Sequence, residues 1–377
     1  MVADACGARR VERIVSAAGR FVPPGERIVI VAPSLDILGG QGVQAETLRT
    51  HLLREGYDVE FLPINPRFPR GVRFLRRYPY VRTVVNQILY LPSLVRLRRA
   101  DVVHIFSASY WSFLLAPAPA MCIARLLRKR TLLHYHSGEA HDHLSRWGMR
   151  VHPWLRLAHE IIVPSEYLRQ IFGRHGYQAR VVRNVIALEC FRYRERAPLR
   201  PRLLCTRNLE PHYGVDVVIR AFGMVHARFP GATLVIAGYG SEDARLRQLA
   251  ESVAPRSIRF LGRVEPARVP EVYDQADIFV NAALIDNQPV SVLEAFAAGL
   301  PVVSSAVGDL PDMLEGGSSG CLVPPGDAPA MADAVVRLIE DPQRARALSQ
   351  HAHARAMEYS WSSVRQQWVA LYGRSAA

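Results

Sequence analysis

Residues 285–303 read IDNQPVSVLEAFAAGLPVV, and the order of residue types in this stretch decides how its surroundings are built. Pro289 suits the first turn of a helix, where its missing N–H is not needed. Val290, Val292, Leu293, Ala295 and Phe296 then continue an apolar helical pattern. Gly299 suits the left-handed position just past a helix end, and Pro301 blocks continuation. Residues 300–304 follow as a short buried strand. The segment is therefore loop, helix, turn, strand. It places Asp286 in the loop and Glu294 about two turns inside the helix. An isolated Asp-x7-Glu spacing is commonplace and reads first as a turn residue and a helix Glu. What surrounds the pair adds a second reading. A helix N-terminus gathers free N–H groups and suits phosphate, and a carboxylate in the helix can accept hydrogen bonds from sugar hydroxyls.

The same alternation recurs outward. RIVIVAP (27–33) is a buried strand, followed by LGGQG, a helical pattern over 43–55, Gly56 and a strand at 59–63. This is the β-α-β opening of an open parallel sheet. DVVHIF (101–106), TLLHYH (131–136), EIIVPS (160–165) and ARVVRN (179–184) continue it. A second series comprises RLLCTRNL (202–209), a helix over 216–229, ATLVIAG (232–238), IRFLG (258–262), DIFVNA (277–282) and PVVSS (301–305). Between them CFRYRERAPLRPR (190–202) is polar, basic and proline-bearing, as a linker is. In the tail, Trp361, Val364, Trp368 and Leu371 recur near a 3.6 period. The reading is a polar extension (1–25), a Rossmann-like α/β domain (26–190), a linker (191–202), a second such domain (203–358) and a terminal helix (359–377).

Composition narrows the chemistry. The chain has 377 residues, enough for two full cores. No apolar run reaches the ~18–20 residues of a membrane span. The polar first 26 residues lack the apolar core of a secretory signal, leaving a loosely ordered extension or a transit-like peptide. Five scattered cysteines, at 6, 122, 190, 205 and 321, form no C-x2-C pair and fit a reducing, cytoplasmic setting. The net charge of +13 divides into +16 for residues 1–200 and −3 for 201–377. Lys129 is the single lysine. It lies in RKR, outside any Walker A loop, and is a poor Schiff-base candidate for a pyridoxal-phosphate enzyme.

The 285–303 stretch resembles the Glu-x7-Glu donor-site motif of GT4-type glycosyltransferases, with Asp286 at the first carboxylate. TRNLEPHYGVDVVIRAF (206–222) resembles the opening of the family's donor domain, with Arg207 in place and Tyr213 where a lysine is usual. GDLP (308–311) is similar to a Gly-Gly-x-Pro loop, with Asp309 at the second glycine. Asn184 matches the Asn that ends the last strand before the linker. The resemblance implies a GT-B fold: two doubly wound Rossmann-like domains facing across a cleft, the C-terminal helix crossing back to the first. It further implies a retaining transfer of a hexose from a nucleoside-diphosphate sugar to an acceptor hydroxyl. Arg207 would hold the diphosphate, Glu294 the ribose, Asp286 the hexose and His136 the far side of the sugar. Asn287, Val290 and Ser291 complete the donor-binding set at the helix start. Gly39, Gly40 and Gly240 join them from loops that make no G-x-G-x-x-G fingerprint. Gly39 and Gly40 read equally as a plain β-α turn and as a loop approaching phosphate or acceptor. Arg263 is the candidate replacement for the missing lysine.

No Asp-x-Asp occurs, and the histidines of HYHSGEAHDH (134–143) have no second Cys/His cluster to complete a metal site. The expectation is a metal-independent enzyme with no cofactor and with a UDP-sugar as co-substrate. Residues 67–99 carry nine arginines with interleaved Phe, Tyr, Leu and Ile. This is either a solvated basic face or a surface for anionic lipid. No nucleic-acid motif accompanies it. A lipid-linked or glycan acceptor in envelope or exopolysaccharide synthesis, met peripherally at the inner face of the plasma membrane, is the expected partner. Two rivals share the scaffold: a non-hydrolysing nucleotide-sugar epimerase, and a non-catalytic membrane- or partner-binding protein.

Overall fold

The computed structural model describes residues 26–34 and 40–373. The expected extension over 1–25 lies outside them, as does Gly39. The described residues form two compact units, one of 26–34, 40–185 and 364–373, the other of Ile186–Ser363.

The first unit holds six parallel strands: β1 (Arg27–Ala32), β2 (Asp58–Pro63), β3 (Val102–Ser107), β4 (Arg130–Tyr135), β5 (Glu160–Val163) and β6 (Ala179–Val181). Their order is β2-β1-β3-β4-β5-β6, in register Ile28↔Val102 and Val102↔Arg130. Strands covered by helices on both faces must be apolar on both faces, which is why they read as continuous runs and not as alternations. Every residue of β3 is buried. Helix Trp361–Tyr372 buries Val364, Trp368, Leu371 and Tyr372. Arg365 grips Glu55 with two hydrogen bonds of 2.7 and 2.6 Å, and the Tyr372 hydroxyl lies 2.7 Å from Nδ1 of His104.

The second unit repeats the plan with β7 (Arg202–Thr206), β8 (Thr233–Ala237), β9 (Ile258–Gly262), β10 (Ile278–Asn281), β11 (Val302–Ser305) and β12 (Cys321–Val323). The order is β12-β11-β10-β7-β8-β9, all parallel. Strand order reverses between β7 and β10. In such sheets a ligand crevice opens beyond the carboxyl ends of the strands at that point. Arg207 directly follows β7, and Asp286 lies in the loop leaving β10.

Three sequence expectations change. The units divide at Val185/Ile186, and the 191–202 stretch is packed onto the second unit. Arg196, 7% exposed, donates to the carbonyls of Tyr273 and Ala276 at 3.2 and 3.3 Å and to that of Ala298. These carbonyls sit at the C-terminal ends of helices Val269–Asp274 and Val290–Ala298, where cations are favoured. The basic composition thus serves capping. Gly40 and Gly42 are not turn residues but fall inside helix Gly40–Arg54. Glu294 is the fifth residue of helix Val290–Ala298, little more than one turn in, because Pro289 is the residue before the helix.

Candidate active site

Helix Val290–Ala298 buries nearly every side chain. It ends in a Schellman turn. Gly299, at φ 72°, sends its N–H to Phe296, and Leu300 sends its own to Ala295, at 3.1 and 2.9 Å. A Cβ on Gly299 would meet the Tyr193 ring at 2.7 Å. At the other end no side chain caps the helix. Its first N–H groups, on Val290 and Ser291, have no intrahelical acceptor, so partial positive charge gathers where β7 and β10 end.

Arg207 reaches this point from the end of β7. Its guanidinium donates to Ser291 Oγ at 3.2 Å and to the Asp286 carboxylate. The Tyr213 ring centroid lies 4.2 Å from its Cζ. The Arg207 and Asp286 side chains are only 9% and 12% exposed. Burial works against the Arg207 charge, yet Asp286, with Tyr213 and Cys205, outweighs it and the guanidinium is held more basic than usual. Its Nε has no hydrogen-bond partner. Gly238 and Gly240 let the loop after β8 press on this strand end. Added Cβ atoms would stand 1.9 Å from the Arg207 carbonyl and 2.2 Å from that of Leu209.

The Asp286 loop is braced by residues 308–311. A Cβ on Gly308 (φ 58°) would lie 2.0 Å from the Asp286 carbonyl. The Asp309 N–H donates to the Asn287 carbonyl at 3.3 Å, and its carboxylate accepts from Gln288 at 3.1 Å. Asn287, 4% exposed, donates its own N–H to Asp286 Oδ1 at 2.9 Å. The carboxylate that replaces the second glycine of the motif is therefore a clasp on the preceding loop.

Glu294 is met by Tyr273, which sequence reasoning did not single out. The fully buried Tyr273 hydroxyl donates to Glu294 Oε2 at 2.7 Å, with the Ser291 carbonyl at 3.0 Å and Thr206 Oγ1 at 2.6 Å. Either hydroxyl of the Thr206–Tyr273 pair can donate, and the Tyr273 proton lies within reach of both Glu294 and the Ser291 carbonyl. Burial pushes the Glu294 carboxyl up to about 7, against the Tyr273 hydrogen bond, which lowers it. No spacing rule connects Tyr273 with a carboxylate 21 positions later.

The structure thus brings together Arg207, Asp286, Asn287, Val290, Ser291 and Glu294, with Gly240 in the neighbouring loop. Arg263 is exposed and pairs with Glu265 at 3.7 Å. Gly40 and His136 belong to the first unit, and Gly40 is exposed. The His136 ring stacks on Phe106 with centroids 5.2 Å apart, and 4.1 Å separates it from the His134 ring. Its Nε2 has no partner, and burial pushes it down to about 3, so the ring is neutral. His143 instead pairs with Tyr135 at 2.9 Å, and Asp142 with Tyr110 at 2.7 Å. Among the described residues no three His, Cys, Asp or Glu side chains are placed to hold a metal ion.

Two family models match the chain: "Glycosyltransferase Family 4" over residues 38–189 and "Glycosyl transferases group 1" over 200–341. A glycogen synthase of Mycobacterium tuberculosis is 27% identical over 89% of this chain and 91% of its own length. A phosphatidyl-myo-inositol mannosyltransferase of Mycolicibacterium smegmatis is 34% identical over 45% and 44%. Among solved structures, Anabaena Alr3699/HepE in complex with UDP and glucose superposes with a TM-score of 0.70 at 17% identity, covering 93% of this chain and all of that one. Sucrose-phosphate synthase of Thermosynechococcus elongatus gives 0.71 at 20% identity, with 92% and 98% coverage. With two six-stranded parallel sheets in two Rossmann-like units and both halves matched, the chain belongs to the GT4-type glycosyltransferases of the GT-B fold.

Proposed function

We propose that this glycosyltransferase moves a hexose, with retention, from a nucleoside-diphosphate sugar to a hydroxyl of a lipid-linked or polysaccharide acceptor, without a metal ion. The observation that carries the donor half is the convergence of Arg207, Ser291 and the uncapped start of helix Val290–Ala298 beside two carboxylates. The diphosphate sits against the helix N-terminus and Arg207, whose fork bonds two oxygens at once. As the sugar leaves, charge grows on the diphosphate, and these fixed donors meet it without reorganisation. The Glu294 carboxylate accepts from the ribose hydroxyls. Asp286 turns from Arg207 to the hexose. No internal nucleophile is assigned; the acceptor attacks the face from which the diphosphate departs. The donor is a UDP-sugar, a reading supported by the UDP-bound neighbour. The acceptor is met in the cytoplasm, peripherally at the inner membrane face. Among the described residues no helix is long and apolar enough to cross a membrane.

Calorimetric titration with UDP, GDP and ADP, with Glu294→Ala as control, tests the donor site. Selective binding lost in the variant supports it. No binding to any of the three favours a non-catalytic scaffold. Conversion of a UDP-sugar with no acceptor present favours an epimerase.

A further inference from the structure

Helix Pro79–Ser93 in the first unit turns a long apolar stripe to solvent. Tyr80, Val84, Ile88 and Leu91 recur at helical spacing and share one face. They are 89%, 59%, 64% and 46% exposed, and Val95 beyond them is 55% exposed. The helix is nevertheless firmly seated. Tyr90 is buried and donates to the Ala116 carbonyl at 2.8 Å, and Leu94 and Leu97 are buried just after it. The stripe is therefore held outward by the packing of the opposite side, and an apolar surface of this length on a folded domain marks a contact.

Charge says what covers it. From residue 61 to residue 100 there are nine arginines and no acidic residue. Arg70, Arg73 and Arg77 precede the helix and Arg98 and Arg99 follow it, all exposed. Phe74 and Tyr78 add 60% and 58% exposed rings at its start. A phosphate-rich polymer would use the arginines but leave Val84, Ile88 and Leu91 in water. A second copy of this chain, docked stripe to stripe, would set two uniformly basic rims against each other. Only a surface that is anionic at its outside and apolar just beneath satisfies both sets of residues.

We propose that residues 70–99 are a membrane-docking face: the Tyr80–Val84–Ile88–Leu91 stripe enters the acyl boundary of an anionic bilayer while the flanking arginines bind lipid phosphates. This deepens the proposal of an acceptor met at a membrane, but its test is independent of nucleotide binding and of turnover.

The full chain is sedimented with vesicles of phosphatidylcholine alone and with vesicles containing phosphatidylglycerol, at low salt and at about 0.5 M salt. Binding to the anionic vesicles that weakens with salt is expected. The triple variant Tyr80→Ser/Val84→Ser/Ile88→Ser is expected to bind at least about tenfold less while keeping the wild-type circular dichroism, melting temperature and UDP affinity, since all three side chains are exposed. Arg73→Ser/Arg77→Ser is expected to lose the salt-dependent part. Failure to bind anionic vesicles, or binding unchanged in the triple variant, overturns the proposal. So does a dimer in light scattering that only the triple variant dissolves, which assigns the stripe to self-association.

Discussion

The Arg207 guanidinium and the Asp286 carboxylate are bonded to each other, 79 positions apart in sequence. In the proposed mechanism each is needed for a different part of the donor, yet here the cation is paired with the neighbouring acid. Tyr213, where the family has a lysine, lies against the same guanidinium as a ring and adds no second positive charge. On the proposed mechanism the diphosphate competes with Asp286 for Arg207.

Asp286→Asn keeps the size of the side chain and removes its charge. A charge-assisted hydrogen bond is worth about 1.5–3 kcal/mol, and part of that is returned when the diphosphate no longer competes. UDP is expected to bind roughly tenfold more tightly, while transfer slows if Asp286 holds the hexose as proposed. Calorimetry and initial rates check the two halves separately; weaker UDP binding would show that the pair organises the site and does not restrain it.

Glu294 gives the site a pH dependence with a definite sign. Burial raises its carboxyl from 4.5 to about 7. Between those values the folded protein holds a proton that the unfolded chain has released. Stability therefore falls as pH rises through this window and levels off above about 7. In the proposed site the Glu294 carboxylate holds the ribose, so UDP affinity is expected to rise with pH through the same window. Tyr273→Phe removes the hydrogen bond that lowers this carboxyl, which moves the binding profile to higher pH, and costs about 1 kcal/mol of stability. Titration of UDP at several pH values reads the shift; an unmoved profile would reduce Tyr273 to a packing residue.

Gly308→Ala tests the brace between the 308–311 loop and Asp286. The added Cβ meets backbone at 2.0 Å, which no side-chain rotation relieves, and φ is 58°. A loss of about 1–3 kcal/mol is expected, with UDP affinity falling more than stability because the Asp286–Asn287 backbone must shift. Denaturant melts and calorimetry on the same variant make the comparison.

In the first unit, burial pushes His104 and His136 down to about 3, and His134 well below its ordinary value. As pH falls below about 6.5, the unfolded chain takes up protons that the folded rings refuse, and the stability these neutral rings contribute is lost progressively toward about 3. His104 also faces Tyr372 and Trp368 of the last helix. The melting temperature is expected to drop on acidification, and less steeply in His104→Phe/His134→Phe. Identical slopes would place the acid sensitivity elsewhere.

Trp368→Ala removes one of the largest fully buried side chains and is expected to cost about 3–5 kcal/mol. The unfolding of the first unit should shift in denaturant while UDP binding, which we propose for the second, stays. Loss of UDP binding in the folded variant would count against a donor site held by the second unit alone.

The chain by itself determined the doubly wound architecture and the position of the helix at 290–298. Continuous apolar runs, the Gly299–Pro301 stop and the spacing of Trp368 and Leu371 are local signals, and secondary structure is local. It also brought forward Arg207, Asp286 and Glu294, because a motif is legible as a string. Its length, composition and motifs left open what long-range packing does. Tyr273 lands on Glu294, Asp309 clasps Gln288, and arginines of the supposed linker cap helix ends, because parallel strand order brings distant loops together. Basic composition could not say whether residues 67–99 were merely solvated. Only the packing of Tyr90, Leu94 and Leu97 inward decided that Tyr80, Val84 and Ile88 face out, since a helix anchored on one side has no freedom to turn its other apolar side in.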